Sequence, residues 1–308
     1  MKKILITGGT GYIGGRLAQY LSQFSDISVT IGTRSTSLKI DNHISINWND
    51  LSSLTIALKN THTIVHLASM NDVECNLNPI AAYEVNLMNT IRLVEAAKLA
   101  DVKRIIYFST AHVYGAMTGH ITEKTITQPI SAYAASHRAA EDVILASSKK
   151  GIVPIVFRLA NGFGFPLNPN IKIWHLFVNE VCLEAVTNHE IKLKGSGLQW
   201  RDFVTLHDIH RAVKHVLDLP ANHLCDGLFN LGSGNSMQVI EMARLIQKRC
   251  FAKFGYSPKV LVPDLEGDIS LPKLFFDNKK FIATGFKING DVNNELDQLL
   301  EMCVEIKN

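Results

Sequence analysis

Apolar positions in the first half of the chain alternate between two periods. "KILIT" at 3–7 is a short β-rich run that stops at glycines, and after them Ile13, Leu17, Tyr20, Leu21 and Phe24 recur at helical spacing. "ISVTIG" (27–32) and "HTIVHLA" (62–68) predict a second and a third strand. A helical pattern runs from about Pro79 to Leu99, with Pro79 suited to a first helical turn. "RIIYFST" (104–110) predicts a fourth strand, Ser131 to about Ser148 a helix, and "VPIVFRL" (153–159) a fifth strand. Strands alternating with helices imply βαβ units, hence a parallel sheet with helices on both faces.

Beyond Asn161 the pattern changes. Pro and Asn cluster in "GFGFPLNPN" (162–170), and a helix is predicted from about Ile171 to Asn188. "FVTL" (203–206) and "LFNLG" (228–232) predict further strands, each followed by a helix. A short strand near "KVLV" (259–262) and two closing helices complete a smaller, more irregular lobe.

Composition narrows the class. The 308 residues are 46% hydrophobic and 19% charged, enough for a full core without disulfide staples. A net charge of +3 is too small to imply nucleic acid or an acidic membrane surface. Cys75, Cys182, Cys225, Cys250 and Cys303 are odd in number and form no C-x-x-C pair, which fits free thiols in a reducing compartment. The apolar run of "MKKILITGG" ends at Thr7, too short for a signal peptide, and no stretch approaches a membrane span. The expectation is a cytoplasmic protein.

The turn after the first strand carries the first chemistry. In "TGGTGYIGG", Gly8, Gly11 and Gly14 stand at G-x-x-G-x-x-G spacing between a strand and a helix. Such glycines allow a tight turn and close approach to a pyrophosphate, while the helix N-terminus offers N–H groups to the phosphates. A dinucleotide is the expected ligand. The acidic residue usual about 20 residues on, which bonds the adenosine ribose, is missing. The second strand ends Gly32, Thr33, Arg34, and an arginine there suits a 2′-phosphate, so NADP is favoured over NAD.

At this point the chain resembles the extended short-chain dehydrogenase/reductase family, the NAD-dependent epimerase/dehydratase group that works on nucleotide sugars. The likeness is carried by "TGGTGYIG" (7–14), "NDL" (49–51), "VHLAS" (65–69), "EVNLMNTIRLVEAA" (84–97) and "FSTAHVYG" (108–115). It continues through "SAYAASHRAAE" (131–141), "FRLANGFG" (157–164), "RDFVTLHDIHRAV" (201–213) and "FNLGSGNSM" (229–237). The resemblance implies a Rossmann-type doubly wound parallel sheet with a smaller C-terminal α/β substrate lobe. Residues 1–165, joined by about 198–235, would form the dinucleotide-binding domain; 166–197 and 236–308 would form the lobe over a nucleotide-sugar cleft. It also implies that Tyr12 and Ile13 join the three glycines at the cofactor, that Asp50 and Leu51 edge the adenine, and that Leu67, Ala68 and Ser69 line the cofactor trough. Asn161 and Arg201 would contact a nucleotide-sugar diphosphate. A guanidinium pairs well with phosphate oxygens; the plain alternative for Arg201 is an ion pair with Asp202 or Asp208.

By the same resemblance Tyr133 moves the proton while the nicotinamide moves the hydride, and Thr110 hydrogen-bonds the reacting oxygen. The family's lysine, four residues after the tyrosine and on the same helix face, is here His137. Lysine lowers the tyrosine pKa and holds the nicotinamide ribose. Histidine, with an ordinary pKa of about 6.5, supplies little field at neutral pH but can still donate one hydrogen bond. If a charged His137 is what activates Tyr133, activity falls as pH rises through the histidine pKa, and His137→Lys restores it at higher pH. Arg138 faces elsewhere, about 100° around the helix.

The reaction type is narrowed by two departures. The Asp–Glu pair of the 4,6-dehydratases is replaced by Ala111 and His112, which disfavours that reaction; His112 is read as structural. Leu265 stands where the family often has a diphosphate-clamping arginine. The reading is an NAD(P)-dependent nucleotide-sugar oxidoreductase, a 4-ketoreductase or an epimerase. The alternatives are a silent NAD(P) and nucleotide-sugar binding protein, because of His137, and a reductase of a small non-sugar carbonyl. A homodimer is expected by resemblance, through stretches 79–99 and 131–148 of each copy. His66 is read as a core residue, and His207 and His210 lack a third metal ligand.

Overall fold

The computed structural model describes residues 1–34, 42–263 and 272–307. Its centre is a seven-stranded sheet. We label its strands β1 (Lys2–Thr7), β2 (Ile27–Thr33), β3 (His43–Ser45), β4 (Thr63–His66), β5 (Arg104–Thr110), β6 (Val153–Leu159) and β7 (Leu228–Leu231). The spatial order is β7-β6-β5-β4-β1-β2-β3. The pairs from β3 to β6 are parallel, with Ile4 opposite Val29 on one side and Ile6 opposite Val65 on the other. β7 joins β6 in the same sense through Val156 N–H to Gly227 O and Ala160 N–H to Leu231 O. The order reverses between β1 and β4, so the carboxyl ends of these neighbours form a switch point, where open α/β sheets bind ligands.

Burial explains the central strands. Every residue of β4 and β5 is buried, as expected of parallel strands covered on both faces. Helices α1 (Tyr12–Leu21), α2 (Leu51–Ala57), α3 (Asp72–Leu77), α4 (Pro79–Tyr83), α5 (Asn89–Leu99) and α6 (Ala132–Ala146) belong to this half of the protein. Leu5, Leu54, Ile64, Leu93, Ile105, Ile144 and Val156 share one core. A second core joins Phe163, Val181, Ile191, Phe203, Ile246 and Leu299, with the thiols of Cys182, Cys250 and Cys303 buried in it.

The described chain divides into two compact units. One comprises Met1–Ala116, Thr125–Leu159 and Val213–Asn230; the other comprises Met117–Lys124, Ala160–Ala212 and Leu231–Asn308. Helices α7 (Phe177–Thr187), α8 (Leu206–Asp218), α9 (Val239–Phe254), α10 (Lys279–Ile282) and α11 (Val292–Lys307) complete the helical set among the described residues.

Several local features depart from the sequence pattern. β3 and α2 were not expected. The stretch 79–99 is not one α-helix but α4, a π-helical turn at Glu84–Met88, and α5. The wider turn lets Asn86 face inward, where its Oδ1 accepts from Met70 N–H at 2.8 Å and its Nδ2 donates to Ser136 Oγ on α6 at 3.1 Å. The helix expected from Ile171 begins only at Phe177, after the Pro- and Asn-rich run.

A buried polar network fixes α6 against the sheet. Glu141 on α6 accepts from Ser109 Oγ at 2.5 Å and from Arg158 Nη2 at 2.7 Å. Arg158 also donates to Tyr114 Oη at 3.1 Å, and Tyr114 donates to Asn230 Oδ1 at 2.6 Å. Both charged groups are fully paired, so the burial penalty of each is offset by the other.

Candidate active site

The glycine turn is shaped by its own backbone. Gly8 follows β1 with φ at +69°, and a Cβ there would stand 2.8 Å from the Ala68 nitrogen. A Cβ at Gly14 would stand 2.3 Å from Gly8 O, so α1 can approach the turn only with glycine at that place. Gly11 is the N-cap of α1, with no side chain closing the helix end, and Tyr12 and Ile13 open the first turn. Leu67 and Ala68 leave β4 beside this turn, their N–H groups bonded to Thr7 O at 3.1 Å and Thr7 Oγ1 at 3.4 Å. Ser69 is exposed just after them. Asp50 caps α2 by accepting from Ser52 and Ser53 N–H, and Leu51 is exposed in the first turn of that helix. Arg34 stands exposed just past β2.

The catalytic candidates lie in the same unit. Thr110 ends β5; Tyr133 and His137 occupy the first turns of α6, whose N-cap Ser131 accepts from Ala134 N–H. The four-residue spacing stacks the rings edge to face, with centroids 4.6 Å apart. The Thr110 hydroxyl bonds to Tyr133 and accepts from His112 N–H at 3.2 Å. His112 is exposed, its ring 6.2 Å from that of Tyr133. Arg138 turns away to pair with Asp142 at 2.6 Å.

Burial sets the charge states at the site. Burial, with His112 adding repulsion, pulls the His137 pKa down to about 4, so the imidazole is neutral at pH 7. A neutral imidazole supplies no charge to Tyr133 near neutrality, so a histidine-dependent fall of activity would lie near pH 4 rather than near 6.5. Burial pushes Tyr133 up to about 12; the Thr110 hydrogen bond opposes the rise, and Asp72 and Cys75 add to it. The phenol is a held proton. His137 Nδ1 bonds to Tyr107 Oη at 2.7 Å, and His137 Nε2 is buried with no partner among the described residues. A buried donor or acceptor left open costs about 1–3 kcal/mol.

These features fit a nicotinamide dinucleotide: a helix N-terminus and glycine turn for the pyrophosphate, and an open imidazole nitrogen on the face of Tyr133 for a ribose hydroxyl. Residues 4–232 match the NAD dependent epimerase/dehydratase family. The chain belongs to that family. It is 28% identical over 266 residues to UDP-glucose 4-epimerase of Corynebacterium glutamicum, covering 79% of each chain. Among solved structures it is similar to MoeE5 in complex with UDP-glucose and NAD, at 25% identity and a TM-score of 0.78, over 99% of this chain and 100% of that one. The fold is also that of RMD from Pseudomonas aeruginosa complexed with NADPH: 19% identity, TM-score 0.80, and coverage of 99% and 100%.

The remaining candidates of this epimerase/dehydratase family member lie in the second unit. Asn161 Nδ2 donates to Asp202 O at 3.0 Å. Arg201 pairs with neither nearby acid. Asp202 is occupied by Ser233 N–H and Oγ, and Asp208 by Arg211 and by the N–H groups of Asn289 and Gly290. Arg201 lies 5.9 Å over the Phe177 ring, and burial lowers its pKa with no carboxylate opposing among the described residues. Leu265 lies outside the described residues. No group of three metal-ligating side chains occurs among the described residues, and no helix among them is long and apolar enough to cross a membrane.

His66 is buried between Thr7 Oγ1 (2.7 Å) and Thr90 Oγ1 (3.0 Å), and burial pulls it down to about 3. Together with His137 it makes folding sensitive to acid. Both histidines bind protons in the unfolded chain below their ordinary value of 6.5 and resist them in the fold. Their stability is thus complete above pH 6.5 and is lost as pH falls towards 4 and then 3. Asp202, raised by burial to about 6 from 3.8, works the other way between those values, by a smaller amount. We expect thermal unfolding to show a net loss of several kcal/mol, on the order set by the histidine shifts, between pH 7 and 4. A melting temperature unchanged over that range would contradict neutral buried imidazoles.

Sequence reasoning missed Tyr107, Asn86 and the Glu141–Arg158 pair. No spacing marks them, since each acts across elements that meet only in the fold.

Proposed function

We propose that this protein reduces a keto group on a nucleotide sugar with a nicotinamide dinucleotide, preferring NADPH. The carrying observation is the geometry: Tyr133 bonded to Thr110, the open His137 Nε2 on the same helix face, and Arg34 exposed past β2 for a 2′-phosphate; burial keeps the Tyr133 proton on. A phenol in that state gives its proton to a developing alkoxide more readily than it takes one from an alcohol. The nicotinamide supplies the hydride when bound. The chain does the rest: Tyr133 Oη holds the proton, Thr110 Oγ1 orients that hydroxyl and polarises the reacting oxygen, and His137 Nε2 meets a ribose hydroxyl. The glycine turn, with Leu67, Ala68 and Ser69, seats the dinucleotide, and Asp50 and Leu51 edge its adenine. Arg201, without a counter-ion among the described residues, and Asn161 support a diphosphate-bearing substrate. Relatives of this kind disfavour both the small non-sugar carbonyl and the silent binding protein. The second reading is a sugar epimerase with retained cofactor, favoured by the relatives' activity.

In this reading the protein is cytoplasmic and pairs as a homodimer through 79–99 and 131–148. Exposed Ile80, Tyr83 and Met88 on the first of these stretches support the pairing.

The test is titration with NADPH and NADH followed by nicotinamide fluorescence, then addition of 4-keto nucleotide sugars. We expect NADPH to bind more tightly and to be oxidised. Arg34→Ala should weaken NADPH about tenfold and leave NADH nearly unchanged, the signature of one lost charge-assisted phosphate contact. Equal losses for both nucleotides would remove Arg34 from the 2′-phosphate. Interconversion of nucleotide sugars without net nicotinamide consumption would replace the reductase by the epimerase.

A further inference from the structure

We propose that Tyr107 is a positioning residue: its hydroxyl donates to His137 Nδ1 and thereby presents His137 Nε2–H as a fixed donor to the nicotinamide ribose. The inference rests on the cofactor reading above for its ligand, and on geometry for the rest.

The contact is 2.7 Å between Tyr107 Oη and His137 Nδ1, with both side chains buried at 2% exposure. Tyr107 points from the middle of β5, and its ring lies 5.8 Å from that of His137. Two arrangements of the proton satisfy the distance. In one, the phenol donates and Nδ1 accepts, so Nε2 carries the hydrogen. In the other, Nδ1–H donates to the phenol oxygen, which leaves the Tyr107 hydrogen and the Nε2 lone pair both buried without partners. The first leaves one open group and the second leaves two, and each open group is costly at this burial. Acidity points the same way, because a phenol is the stronger donor and an imidazole nitrogen the stronger acceptor. The one group left open, Nε2–H, belongs to the residue four after Tyr133 and on the same helix face.

Tyr107 thus does for a histidine what second-sphere partners do for metal-bound imidazoles, setting which nitrogen carries the proton and which way the ring faces. A lysine at 137 would need no such partner, since its ammonium donates in every direction. The pairing of Tyr107 with His137 is therefore a unit in this chain.

Histidine-selective 15N NMR of the unliganded protein at pH 7 reads the tautomer directly. We expect His137 with a protonated Nε2 and a hydrogen-bonded, unprotonated Nδ1; a protonated Nδ1 overturns the proposal whatever the protein binds. The second measurement is the Kd for NADPH, by nicotinamide fluorescence, in a double-mutant cycle. Tyr107→Phe should weaken binding about five- to tenfold, the scale of one hydrogen bond. In the His137→Ala background the same change should alter binding less than about twofold. Equal losses in both backgrounds would make Tyr107 a packing residue only and overturn the proposal. Failure of the cofactor reading is separable: the wild-type protein then binds neither NADPH nor NADH, while the tautomer still decides whether Tyr107 sets the imidazole.

Discussion

Tyr133→Phe is expected to lower turnover by about 10²- to 10⁴-fold, the range of a lost general acid, with cofactor binding and melting temperature nearly unchanged. The phenyl ring keeps the edge-to-face packing on His137 at 4.6 Å, so the variant removes the hydroxyl and little else. Thr110 loses one partner but retains His112 N–H as a donor. The measurement is single-turnover hydride transfer in the presence of a saturating nucleotide sugar. Retention of more than about a tenth of the wild-type rate would put the proton on another group, and His112, exposed at 6.2 Å, would be the first to examine.

The second large effect concerns position 137 in the direction that oxidises a sugar hydroxyl. There Tyr133 must first lose its proton. With its pKa at about 12 and His137 neutral above about 4, the wild-type rate should rise close to tenfold per pH unit from pH 6 to 10, with no inflection near 6.5. His137→Lys places a cation on the same helix face. A cation within about 4–6 Å lowers such a pKa by about 1–3 units, which raises the phenolate fraction at pH 7 by about ten- to a thousandfold. The break in the profile should move down by the same amount. A wild-type inflection near 6.5, together with loss of rate in His137→Lys, would show that a charged imidazole is the activator after all.

Much of this was legible in the chain because sheet and helix patterns are local. β5 is a continuous buried run whose bounds match "RIIYFST", and Gly8, Gly11 and Gly14 announce a turn that the backbone realises with φ at +69° and near contacts at the other two. The spacing of Tyr133 and His137 likewise transfers directly to one helix face. What was hidden is set by tertiary environment. β3 has three residues, none of them buried, and carries no period to read. The π-helical turn at Glu84–Met88 is a change of hydrogen-bond partner within an unbroken helical pattern. The depth of the His137 shift was hidden for the same reason: an ordinary imidazole is half protonated near 6.5, and only complete burial moves it to about 4. Arg201 was an ion-pair candidate by proximity in sequence, yet Asp202 and Asp208 are consumed by backbone N–H groups that only the fold brings to them.

The network around Glu141 sets which positions of α6 can change singly. Glu141 lies one turn beyond His137 on α6 and is fastened to Arg158 and Ser109 on neighbouring strands. The helix is thereby held to the sheet by contacts that do not involve the side chain at 137. Glu141 and Arg158 depend on one another. A change at either alone strands a buried charge, at a cost of about 3–5 kcal/mol, comparable to the whole margin of many domains. Glu141 and Arg158 therefore tolerate change only together, because either one alone leaves the other's charge buried and unpaired.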